Sequence, residues 1–127
     1  MSNLAASPQA YRKSAVLSAT PGQLVVMLYD AARRFLRQAT AAMNEGDIER
    51  SHNALRRAEM IVASLDSTLD YNQGQMADRL HAIYQFCLAH LNSARISKDA
   101  AKLEEVSELL GELRDAFEQA AAEVDNA

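Results

Sequence analysis

The residues of this chain best spaced for chemistry are two carboxylate-x-x-His runs, Glu49-Arg50-Ser51-His52 and Asp78-Arg79-Leu80-His81. A carboxylate and an imidazole three residues apart share a helix face, and facing pairs of this kind hold two metal ions inside some helical bundles. Such ligands must point into the core. At ~100° per residue, Glu49 and His52 lie far from the direction shared by Leu55, Val62 and Leu69, and Asp78 and His81 lie away from the stripe of Leu80, Cys87 and Leu91. Both pairs read as solvated faces, so neither a metal nor another cofactor is expected. His90 sits at the edge of an apolar stripe with no Ser, Cys or carboxylate at an obvious pairing distance in sequence, which makes it a half-buried polar neighbour and not a base. Cys87, the one cysteine, falls on an apolar face, where a thiol behaves as a small hydrophobe. Neither a Gly-rich phosphate loop nor a Gly-x-Ser-x-Gly elbow occurs. An enzyme is not expected.

The elements that carry these residues read as helices. In 127 residues there are four Gly and two Pro, and both prolines, Pro8 and Pro21, lie before or at the start of the first long periodic segment. Thr20 is a good N-cap, Pro21 suits the first helical position, and Gln23 stands where a capping box wants Glu or Gln. A first helix runs from there to about Asn44, with Leu24, Leu28, Ala32, Phe35, Ala39 and Met43 on its inner face and Gly46 closing it in a left-handed conformation. Asp47 caps a second helix with the inner series Ile48, Leu55, Ala58, Val62, Leu65 and Leu69, and the run Asp70 to Gly74 is a turn. A third helix carries Met76, Leu80, Ile83, Tyr84, Cys87, Leu88, Leu91 and Ala94. After Ser97-Lys98-Asp99, a fourth carries Leu103, Val106, Leu110, Leu113, Phe117, Ala120 and Val124, alternately three and four apart.

The expected fold is therefore all-α: an antiparallel up-down-up-down four-helix bundle over residues 20–122. An extended, partly mobile arm over residues 1–19 precedes it, and a frayed acidic tail over residues 123–127 follows. Net charge is −4 and no basic stripe interleaves with aromatics, which argues against nucleic acid. The lone cysteine fits a reducing compartment, and the absence of a signal-like start or an apolar run of ~20 residues predicts a cytoplasmic protein without membrane insertion. Arg33, Arg34 and Arg37, with Arg56 and Arg57, read as solvated faces ion-paired to neighbouring turns.

Apolar side chains that the four stripes do not use point to binding. Val26 and Met27, then Met60, then Phe86 sit off the inward directions of the first three helices, with Ile61 borderline. Flexible Met and an aromatic suit an adaptable docking surface. Tyr11, Val16 and Leu17 of the arm are expected to lie across the opening turns of the first helix when no partner is present. A rival reading from a different class is a self-associating structural bundle.

The order of the motifs resembles the flagellin-specific export chaperones, the FliS family. The resemblance runs from Tyr11 to about Phe117 and is carried by Tyr11 and Val16, Thr20-Pro21-Gly22-Gln23-Leu24, Met27-Leu28-Tyr29-Asp30, Ala58 with Ile61 and Val62, Leu69-Asp70, Ile83-Tyr84 and Leu113-Arg114. Ala31 and Phe117 depart from the family pattern, which commonly has Gly and Trp there. The resemblance implies a chaperone that binds the disordered C-terminal segment of flagellin, prevents premature polymerisation and serves flagellar type III export, with export-machinery components as further partners. It adds Tyr29 and Tyr84 to the expected contact residues.

Overall fold

The computed structural model describes residues 8–125, and all regular structure among them is helical. The elements are α1 (Pro8–Ser18), α2 (Pro21–Asn44), α3 (Ile48–Ser67), a 3-10 turn (Tyr71–Gln73), α4 (Gln75–Ser97) and α5 (Ala100–Asp125). α2 starts as its sequence dictates. The Gln23 N–H donates to Thr20 Oγ1 at 3.2 Å, and the Thr20 N–H donates to Gln23 Oε1 at 2.9 Å, closing a capping box. Asp47 caps α3 through a bond accepted from the Arg50 N–H, and Gly46 makes the turn between the two helices at φ 75°. The turn before α5 is closed by Lys98 in the left-handed region at φ 56°, while Asp99 Oδ1 accepts from the Ala101 N–H at 3.1 Å.

α2 packs against both α3 and α5, α3 against α4, and α4 against α5. The core lies among these four helices and is filled by Tyr29, Leu36, Leu55, Val62, Tyr84, Cys87, Leu91, Leu103, Val106 and Leu110, all fully buried. Small residues at Ala32, Ala39, Ala58 and Ala94 share that core and let helix backbones approach. Polar pairs tie the helices together from outside. They join Asp30 to Arg114 and Arg33 to Ser107 between α2 and α5, Glu59 to Arg95 and Asp66 to His81 between α3 and α4, and Ser93 to Lys102 between α4 and α5.

The structure corrects the expected arm. Residues Pro8 to Ser18 are helical, not extended. Ser and Ala content together with Pro8 read as a loop signal, yet proline in a first turn starts helices, and Gln, Ala, Arg and Lys are good helix formers. The arm's first seven residues lie outside the described ones. α5 likewise runs through Asp125, so the expected tail from Glu123 is helical there, and Asn126 and Ala127 lie outside the described residues. The buried stripes are also shorter than expected: Ile48, Met76, Ala120 and Val124 are exposed near the helix ends.

Candidate docking surface

α1 buries none of its residues and makes no extensive packing with another helix. It leaves a groove of about 510 Å³ against the start of α2 and the end of α5, lined by Ala15 and Ser18 from α1, Val26 and Met27 from α2, and Glu118, Ala121 and Ala122 from α5. A second hollow of about 370 Å³ adjoins it under Pro21 and Gly22, walled by Phe117, Ala120 and Val124. Gly22 sets the closeness of α2 and α5 here, since a Cβ on it would stand 3.0 Å from the Ala121 Cβ.

Beneath the groove the framework is stiff. The Tyr29 ring packs on Phe117 with centroids 5.7 Å apart, and its hydroxyl shares a buried hydrogen bond with that of Tyr84. Burial raises both phenol pKa values, foremost by removing water that would solvate the phenolate. Arg114 Nε donates to Asp30 Oδ1 at 2.9 Å and its Nη1 reaches Asp115 and Glu118. Cys87 is buried, and desolvation pushes its thiol up to about 11, which leaves it unreactive at neutral pH.

The expected contact residues divide into five groups. Val26 and Met27 line the groove, half-buried. Met60 and Phe86 stand exposed on α3 and α4, the latter with its ring stacked 5.2 Å from His90. Tyr29 and Tyr84 are corrections: both are core residues, closed to a partner by each other and by Phe117. Ile61 packs against the core with partial exposure. Tyr11, Val16 and Leu17 do not shield the opening turns of α2. Tyr11 is 74% exposed and Leu17 is 77% exposed, because α1 turns the small Ala15 toward the groove.

Other candidates resolve through contacts between helices, which spacing in one helix does not reveal. Glu49, His52 and Asp78 are exposed, and His81 bonds Asp66 at 2.7 Å. His90 has the carboxylate partner that local spacing did not provide, Glu105 of α5 at 2.6 Å. The arginine faces form no ion pairs among the described residues. Arg33 instead bonds Ser107 at 3.5 Å, and Arg57 lies over the Phe35 ring at 5.6 Å. No group of three His, Cys, Asp or Glu that could hold a metal occurs among the described residues. What remains among the described residues is a partly apolar groove and scattered exposed hydrophobes.

The family model described as Flagellar protein FliS matches residues 3–124. The chain belongs to the FliS family. It is 35% identical to the flagellar secretion chaperone FliS of Bacillus subtilis (strain 168) over 87% of this chain and 83% of that one. It is 34% identical to the FliS of Salmonella typhimurium over 93% of this chain and 89% of the other. With the FliS of Vibrio cholerae the identity is 34% over 94% and 92%. FliS proteins are chaperones, not enzymes. The residues that carry the FliS resemblance have structural work in this chain: Tyr29 and Tyr84 meet in the core, and Asp30 and Arg114 join α2 to α5.

Proposed function

We propose that this chain is a cytoplasmic flagellar export chaperone that binds the disordered C-terminal segment of flagellin, prevents its premature polymerisation and holds it ready for type III export. Four helices form the scaffold. In each neighbouring pair, rising residue numbers on one helix meet falling numbers on the other, as in Gly22 with Ala121 and Arg33 with Ser107. This supports an antiparallel up-down-up-down four-helix bundle, with α1 as an appended helix. No helix among the described residues is long and apolar enough to cross a membrane.

The observation that carries the reading is the apolar groove between α2 and α5 with the lightly held α1 at its edge. A client that is disordered alone gains order by laying amphipathic turns into such grooves, so folding and binding are coupled. The groove walls at Val26, Met27, Ala121 and Ala122 offer apolar area, with Ser18, Gln23 and Glu118 as polar groups beside it, which suits an amphipathic client segment held chiefly by burial.

Calorimetric titration of the full chain with the C-terminal ~40 residues of the host's flagellin tests this, with a large negative heat-capacity change as the expected signature. Met27→Asp should weaken the complex at least about tenfold, since a carboxylate in an apolar contact costs more than the ~1.4 kcal/mol that tenfold represents. Melting should change little. Loss of folding with unchanged affinity per folded molecule would place Met27 in the core and overturn the assignment.

A further inference from the structure

Another pocket, of about 510 Å³, opens where α2 ends and α3 begins, beside the end of α4. Met27 and Met43 are sixteen residues apart on α2, so the two sites lie ~24 Å apart along the helix axis. Its walls are apolar at Met43, Ile48 and Leu55, and its polar groups are Ser51, His52, Arg95 and Lys98. No carboxylate lines it, in a chain whose net charge is −4.

Three of those polar groups have unused capacity. Ser51 is only 6% exposed, and its hydroxyl has no hydrogen-bond partner among the described residues. Arg95 spends Nη2 on Glu59 and Nη1 on Asn92 at 3.0 Å, while its Nε is buried without a partner. Lys98, held at φ 56°, forms no ion pair among the described residues. A buried donor without an acceptor is costly, and a carboxylate entering the pocket would satisfy the Arg95 Nε with a charge-assisted bond. At the mouth, Ile48 is 62% exposed and offers an apolar contact next to those cations.

We infer that this pocket is a second docking subsite, which takes an acidic side chain carried between aliphatic residues of the exported client segment. The assignment rests on the chaperone reading for its occupant and on the pocket's own chemistry for its specificity. An aliphatic neighbour fills the Met43, Ile48 and Leu55 wall while the carboxylate faces Ser51, Arg95 and Lys98. A segment anchored at both sites is held along the length of the bundle, so neither contact alone needs to be strong.

The test uses Ile48, which starts α3. An acidic residue there suits the helix dipole, so Ile48→Asp keeps the fold while placing a negative charge at the mouth. Ile48→Lys removes the same apolar contact with the opposite charge. In titrations of the full chain with the flagellin C-terminal ~40 residues, Ile48→Asp should lose about tenfold in affinity and Ile48→Lys less than about threefold. Replacing the segment's Asp and Glu by Asn and Gln should erase the gap between the two variants. Lys98→Gly, which relaxes a left-handed position while deleting a cation, should weaken binding about threefold with melting kept or raised. Equal affinities for the Asp and Lys variants, with unchanged Lys98→Gly binding, would overturn the subsite alone. No binding by the unsubstituted chain would overturn the chaperone reading and the subsite with it.

Discussion

Tyr29 and Tyr84 show how little an amino-acid type says about whether a residue binds a partner or supports the core. Each hydroxyl is buried and has the other as its partner, so removing one leaves the other donor or acceptor unmatched in a dry core. Tyr29→Phe and Tyr84→Phe should each cost about 1–3 kcal/mol by denaturant unfolding, with the double substitution costing less than the sum. Additive losses would mean that the hydroxyls do not depend on each other. The same burial sets an alkaline limit. Cys87 is raised from 9.0 to about 11, and both tyrosines are raised above their ordinary value. In that range the unfolded chain has released protons that the folded chain retains, so stability falls as pH rises from 9 through 11 and beyond. Cys87→Ala should flatten the first part of that decline, and the double Phe variant the later part. The helix wheel placed Tyr84 on an inner stripe, but a wheel gives a direction and not the residue met across the core, which is Tyr29. Asp30 and Arg114, 84 positions apart, were legible only as fragments of a pattern.

Helix boundaries were legible wherever capping chemistry was local. Thr20, Gln23, Asp47 and Asp99 mark their ends by side-chain reach and Gly46 by its left-handed backbone, and the four long helices lie where those residues put them. α1 was missed because it has no buried stripe to announce it, and a helix that buries nothing produces no periodic apolar signal. An isolated helix of eleven residues is marginal in water, so α1 contributes little to the stability of the rest. Deleting residues 1–16 should leave the other helices folded, with melting shifted by no more than a few degrees. It should also raise the fluorescence of an apolar dye, because Ala15 no longer walls the groove over Val26 and Met27. If client affinity rises in parallel, α1 is a competitor for the groove; if it falls, the exposed Tyr11 contacts the client. Unchanged dye binding and affinity would make α1 an idle extension.

At the scale of the molecule, the exposed large hydrophobes are spread over several elements: Tyr11, Val16 and Leu17 on α1, Met60 on α3, Tyr71 and Met76 at the α3–α4 turn, Phe86 on α4, Val124 on α5, and Ile48 with Ile96 at the far end. A two-fold dimer needs one self-complementary patch of roughly 800 Å² per partner. These side chains stand on different helices and different ends, so a second copy seated on one face would leave most of them in water. A polypeptide segment has no such constraint. Forty residues span up to ~130 Å when extended, against a longest helix of ~39 Å for the 26 residues of α5, so one segment can visit several faces in turn. The expectation is a mass by light scattering that stays at one chain as concentration rises, and a one-to-one complex once client is added. Saturating client at 100 times its dissociation constant should then stabilise the folded chain by about 2.7 kcal/mol, read as a rise in melting temperature. A free protein that dimerises with rising concentration, and whose melting the client leaves unmoved, would instead make this surface a self-association interface.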